Sequence, residues 1–207
     1  MPSTRYLYLT RHAEAHPDES TLTTAGRQQA TLLGQRLRDV PLTTIHHSPL
    51  PRATETADLI ADALPDVRLH PTIVAGDYIP YVPQRDELPP TSADTFLDFL
   101  AQSTPEDHRL GALLAPQALT HFTGPTPGAA PVHELVITHN FLIAWLVRDA
   151  LDAPPWRWLT LNHCNAALTV IRYTPDRPAS VLLYNDMQHL PTTLQWTGFP
   201  PDLLFHA

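Results

Sequence analysis

The stretch Leu7-Tyr8-Leu9-Thr10-Arg11-His12-Ala13-Glu14-Ala15 decides the reading of this chain. Residues 5 to 10 form a short apolar run that reads as a strand, and Arg11-His12 falls at its carboxyl end. In open α/β sheets, ligands bind outside the carboxyl ends of the strands, where the strand order reverses. Two further fragments have the same character. Arg52 lies inside Ser48-Pro49-Leu50-Pro51-Arg52-Ala53-Thr54-Glu55-Thr56-Ala57, and His139 lies in Thr138-His139-Asn140, directly after another apolar run. A phosphoryl group in transfer spreads negative charge over its equatorial oxygens, so it needs fixed positive donors and one attacking atom in line. Two guanidiniums and two imidazoles can supply both without a metal.

Outward from these fragments the pattern alternates. Leu32, Leu33 and Leu37 recur at helical spacing through about Thr24 to Asp39, with Thr23 or Thr24 as the N-cap. A strand at Thr43 to His47 leads to Ser48, and Pro49 and Pro51 suit the first turn of a helix, where amides lack intrahelical acceptors. That helix runs to about Leu64, and a third strand covers Val67 to Leu69. Strands and helices alternating over short connections predict right-handed crossovers: an α/β fold, a three-layer α/β/α sandwich around a mainly parallel sheet. From about 71 to 131 the pattern changes to a proline- and tyrosine-rich stretch, helices at about Ser92 to Gln102 and Pro105 to His121, and a loop at 124–128. This segment reads as a helical and loop insertion over the carboxyl edge of the sheet. Strands at Leu135 to Thr138, Asn165 to Tyr173 and Ser180 to Tyr184 follow, with a helix from Phe141 to Leu151 that is apolar nearly all round and therefore buried.

Length and composition set bounds. The 207 residues read as one domain with a sizeable core, in keeping with a hydrophobic fraction of 43%. All 13 basic residues are arginine, so Schiff-base and P-loop chemistry are excluded for want of a lysine. A net charge of −8 argues against nucleic acid or an anionic membrane as partner. No apolar signal segment precedes Arg5 and no run of eighteen apolar residues occurs, while the single cysteine, Cys164, allows no internal disulfide. These features predict a soluble, cytoplasmic protein. The histidines offer no His-x-His or His-Glu-x-x-His pattern, and His46 and His47 would point to opposite faces of a strand, so neither a metal nor another cofactor is expected.

The order of the Arg-His run, the Leu22-Thr23-Thr24-Ala25-Gly26-Arg27-Gln28-Gln29-Ala30 segment, the Ser-Pro-Leu-x-Arg-Ala run and the Thr-His-Asn run resembles the histidine phosphatase superfamily, in particular its phosphoglycerate-mutase-like group. The resemblance covers residues 5 to 64 and 132 to 190. It implies that the strands before His12 and His139 are neighbours, so that the imidazoles face one another across one anion pocket. His12 is then the nucleophile, Arg11 and Arg52 hold the non-bridging oxygens, and His139 donates to the same oxygens. Most relatives carry a glutamate as general acid after the third strand. Here that stretch reads Thr72-Ile73-Val74-Ala75-Gly76-Asp77-Tyr78-Ile79-Pro80, with no glutamate, so Asp77 is the first candidate and Glu14 the second. Tyr78, Tyr81 and Arg85 are expected to contact substrate at the mouth together with Glu14. The activity this implies is a metal-independent phosphomonoesterase acting on a small phosphorylated metabolite through a phosphohistidine. A phosphoglycerate mutase and a catalytically weak phosphate-ligand or partner-binding protein are the alternatives.

Overall fold

In the computed structural model, which describes residues 1–204, the first element is a short strand, β1 (Pro2–Ser3). Then come β2 (Arg5–Arg11), α1 (Thr24–Leu37), β3 (Thr44–His47), α2 (Pro51–Ala61) and β4 (Arg68–Pro71). Two single-turn 3₁₀ helices, Ile73–Ala75 and Arg85–Glu87, lead to α3 (Ala93–Leu100), α4 (Pro105–Phe122) and β5 (Thr126–Pro127). The chain returns through β6 (Val132–Thr138), α5 (Asn140–Ala150), a 3₁₀ segment at Pro155–Thr160, β7 (Leu168–Tyr173) and β8 (Ser180–Asp186).

The main sheet has the order β4-β3-β6-β2-β7-β8. Its first four strands are parallel, β7 runs antiparallel to β2, and β8 runs antiparallel to β7. The expected α/β sandwich with a mainly parallel sheet is the observed architecture. Because side chains alternate across a strand, Leu135 and Ile137 of β6 pack with α1 and α2, while Val136 between them packs with α4 and α5. Leu7, Leu9, Ile45, Leu135 and Ile137 are fully buried, and each contributes about 1.5–3 kcal/mol of hydrophobic stabilisation. Helix α5 is buried from Leu142 through Arg148, as its uninterrupted apolar face requires.

Local chemistry explains the joints around the sheet's carboxyl edge. Thr23 caps α1, its hydroxyl accepting the Gly26 amide at 2.9 Å. Gly26 itself lies against the Glu14 carbonyl, where any Cβ would collide, which accounts for a glycine in the first turn of that helix. Helix α2 has no side-chain cap. Pro51 opens it instead, where its missing N–H costs nothing, and Arg52 follows in the first turn. The fold also holds what the sequence pattern did not announce: β1 and β5 pair as an antiparallel two-residue ribbon, so part of the expected 124–128 loop is strand.

Candidate active site

The site begins with strand register. Strands β2 and β6 run parallel with Arg11 opposite Thr138, so the next residue of each, His12 and His139, leaves the sheet at one level. The His12 amide donates to the Thr138 carbonyl at 2.9 Å, and the two imidazole centroids are 5.1 Å apart. Both rings are buried.

Hydrogen bonds fix the proton positions. The His12 Nδ1–H donates to the Ala13 carbonyl at 2.8 Å, since a carbonyl can only accept. Its Nε2 is therefore unprotonated, and its lone pair accepts the Arg52 Nε–H at 3.1 Å. Desolvation holds the His12 pKa well below its usual value, and His139, Arg11 and Arg52 lower it further. The ring is thus neutral and carries a directed lone pair. His139 Nδ1 receives Arg52 Nη2 at 3.3 Å, which puts its proton on Nε2, a buried atom without a partner. Burial, then the two arginines, lowers the His139 pKa to about 3.

Arg52 is the hub. Its Nη2 donates to Asp77 Oδ2 at 2.9 Å, and its Nη1 lies 3.0 Å from Glu19 Oε2. Arg11 is held from behind, its Nη1 donating to the carbonyls of His163 (3.0 Å) and Gly198 (2.5 Å), while its buried Nε lacks an acceptor. Gly198 has φ +70°, and a Cβ there would strike Asn165 Oδ1 and Arg11 Nη1, so this close backing of the guanidinium requires glycine. The arrangement offers a lone pair, two guanidiniums and an unpaired imidazole N–H around one spot. An oxyanion placed there would satisfy Arg11 Nε and His139 Nε2, whose burial without acceptors is otherwise costly.

Asp77 reaches this hub because Gly76 ends the 3₁₀ turn of Ile73–Ala75 and the Thr138 hydroxyl donates to the Ala75 carbonyl at 2.6 Å, tying that turn to β6. Desolvation raises the Asp77 pKa, opposed by Arg52 and Arg11. His139 Nδ1 lies 3.5 Å from the same carboxylate oxygen.

The structure does not bring the other expected residues to this spot. Glu14 receives the Thr23 hydroxyl at 2.7 Å and serves the joint before α1. Tyr78 is buried and donates to the Val74 carbonyl at 2.9 Å, and Tyr81 donates to Glu87 at 2.6 Å. Arg85 pairs with Asp94 at 2.6 Å on the surface. Each polar end is held by a neighbouring residue, so none of the four joins the cluster around His12. The mouth is instead a cavity of about 500 Å³ that Arg11 and Asp77 share with Phe96 and Phe99 of α3, Phe141 of α5, and Trp158. Sequence reasoning passed over this aromatic wall and Glu19. The apolar stripe of α3 and the Trp156-Arg157-Trp158 run were the signals for the wall, whereas Glu19 gave none.

Comparison with known proteins agrees with this geometry. The sequence profile of the Histidine phosphatase superfamily (branch 1) matches residues 7–78 and 118–186. The chain is 33% identical over 196 residues to the mitochondrial serine/threonine-protein phosphatase Pgam5 of Caenorhabditis elegans, covering 91% of this chain and 65% of that one. It is 31% identical to the human protein of the same name, covering 97% and 65%. The chain therefore spans just under two thirds of the length of these relatives. Among solved structures, Bacillus stearothermophilus YhfR superposes with a TM-score of 0.61 at 24% identity, covering 89% of this chain and 98% of that one. A phosphoserine phosphatase from Entamoeba histolytica, crystallised with phosphoserine, superposes with 0.62 at 20%, covering 90% and 100%. The relatives' names place them in mitochondria, which overturns the cytoplasmic location expected from composition. Among the described residues no helix is long and apolar enough to cross a membrane. Fold, paired histidines and sequence profile together make the chain a member of the histidine phosphatase superfamily.

Proposed function

We propose that this chain is a phosphomonoesterase that works through a phosphohistidine on His12 and needs no metal, its substrates being phosphoserine and phosphothreonine in polypeptides. The observation that carries the mechanism is the His12 ring: Nδ1–H on the Ala13 carbonyl and an unprotonated Nε2 held by the Arg52 guanidinium in a buried pocket. Names of the relatives support a protein substrate over the small metabolite expected at first.

In the first step His12 Nε2 attacks phosphorus. The N–P bond forms as the ester P–O bond breaks, and the departing alkoxide takes a proton from Asp77. Arg11, Arg52 and the His139 Nε2–H stabilise the equatorial oxygens, the part a divalent ion plays in other phosphotransferases. A water then attacks phosphorus, gives its proton to Asp77 and restores His12. Asp77 suits the acid role because burial favours its protonated form, and an incoming phosphate would replace it on Arg52 and neutralise the charge that keeps it ionised. A mutase needs a second cationic group to hold a substrate carboxylate, and among the described residues the cavity lining offers Arg11 alone.

Quenching a reaction with radiolabelled phosphoprotein at neutral or alkaline pH tests the proposal. Label should appear on His12, survive excess chelator and vanish in His12→Ala. Label on another residue, or full dependence on one divalent ion, would overturn it.

A further inference from the structure

The cavity beside the phosphate pocket has a chemical bias that bears on which phosphorylated segments the site accepts. Its wall is built from three elements that converge on Arg11 and Asp77. Helix α3 contributes Phe96 and Phe99, α5 contributes Phe141 from its first turn, and the 3₁₀ segment at Pro155–Thr160 contributes Trp158. The rings brace one another edge to face, Phe99 on Phe141 at 5.9 Å and Phe141 on Trp158 at 5.2 Å. Trp158 is locked by its indole N–H, which donates to the Tyr81 carbonyl at 2.9 Å. The wall is thus fixed before any substrate arrives, yet Phe99 at its lip remains 41% exposed.

Charge completes the bias. Among the described residues the only cation lining the cavity is Arg11, and the two lining carboxylates are Asp77 and Asp202. Helix α3 carries no basic residue and adds Asp98, its Asp94 being paired with Arg85. A second anionic group on the substrate would meet carboxylates and no further cation among the described lining residues, whereas an apolar group would remove the exposed face of Phe99 from water.

Resting on the phosphoserine and phosphothreonine reading above, we infer that this aromatic wall selects phosphopeptides with a large apolar or aromatic residue two positions from the phosphorylated one. Two residues along an extended peptide bring a side chain to the same face about 7 Å away, within reach of a wall that begins next to the phosphate site. An acidic residue at that position is rejected.

Two sets of peptides separate this inference from the reading beneath it. The first set carries phosphothreonine with Phe, Ala or Glu two positions away on either side, and kcat/KM is measured. The second carries a non-hydrolysable phosphonate in place of the phosphate, and Kd is measured by calorimetry. The Phe peptide should exceed the Ala peptide by about ten- to a hundredfold in both measurements, as expected for burying one aromatic side chain, with the Glu peptide below Ala. Phe99→Ser and Phe96→Ser should each collapse the Phe-to-Ala ratio, whereas Leu182→Ser, an exposed leucine of β8 outside the cavity, should leave that ratio intact. Equal affinities for the three phosphonates, or a ratio untouched by both phenylalanine changes, would overturn the inference. So would strong Phe99-dependent hydrolysis of 1-naphthyl phosphate combined with uniformly poor peptides, which would assign the wall to a small apolar monoester. Absence of turnover with the Phe phosphonate still preferred would instead sink the catalytic proposal and leave the selectivity standing.

Discussion

Glu19 places its carboxylate 3.0 Å from Nη1 of Arg52, the guanidinium whose Nε–H also donates to His12. The residue sits in the left-handed region at φ +57°, and its amide donates to the His16 carbonyl at 2.8 Å. A tight turn thereby presents an internal anion to the spot where phosphate would bind. Because the Glu19 side chain is 62% exposed, the pair is screened and weak, on the order of 0.2–1 kcal/mol. Glu19→Gln should therefore tighten competitive inhibition by orthophosphate by no more than about fivefold, and the gain should shrink at high salt. An inhibition constant that is unchanged or weaker would show that Glu19 does not compete with the ligand.

The acid role of Asp77 predicts dependence on the leaving group. A general acid contributes about 10²–10⁴-fold when the departing oxygen is strongly basic and little when it is already a stable anion. Asp77→Asn should cripple phosphoserine peptides and spare p-nitrophenyl phosphate. Activity requires the protonated carboxyl, so in the parent protein the rate on peptides should fall as pH rises through the Asp77 pKa, which burial raises, and this alkaline limb should flatten in the variant. Equal losses on both substrates would remove Asp77 from the role.

Buried neutral histidines predict loss of stability in acid. His163 is fully buried with both ring nitrogens unpartnered, and burial, then Arg11, lowers its pKa to about 3. The unfolded chain takes up that proton below about pH 6.5, whereas the folded chain does not, so stability is complete above this pH and declines between about 6.5 and 3. Each such ring contributes at most about 1.4 kcal/mol per pH unit across that window. His163→Phe preserves the ring packing against Tyr184, whose centroid is 4.8 Å away, and removes one titrating group. Melting temperatures recorded from pH 7 to 4 should fall less steeply for the variant, and parallel curves would contradict the assignment.

Gly26 couples helix α1 to the segment that follows His12. A methyl group there would collide with the Glu14 carbonyl, so Gly26→Ala must move either the helix or residues 13–14. Overpacking of this kind costs about 1–3 kcal/mol. Because the Ala13 carbonyl sets the His12 tautomer, turnover should drop more than the melting temperature suggests. Full activity in a folded Gly26→Ala protein would mean that the loop adapts freely.

The sequence carried the sheet and the meeting of His12 with His139 plainly, and for one physical reason. Strand periodicity, cap residues and prolines act locally, so Thr23, Pro51 and the alternation in β6 could be read without tertiary knowledge. His12 and His139 were legible because both directly follow apolar strands. Side chains whose partners depend on how an irregular segment folds were not. Tyr78, Tyr81 and Arg85 looked available for substrate because nothing in their order reveals the Val74 carbonyl, Glu87 and Asp94 that occupy them. Glu19 was invisible for the converse reason: its importance rests on one turn bringing an ordinary surface carboxylate to Arg52, 33 residues away.

The parallel register of β2 and β6 has a consequence for how such a protein can diversify. The spacing of the two imidazoles is set by backbone pairing of Arg11 with Thr138 and by the amide of His12 on the Thr138 carbonyl, none of which involves α3 or the Pro155–Thr160 turn. Reaction and recognition are thus carried on separable parts of one chain. Segments 93–100 and 155–160 can be exchanged, lengthened or recoloured in charge, and the distance between His12 and His139 stays where the sheet put it.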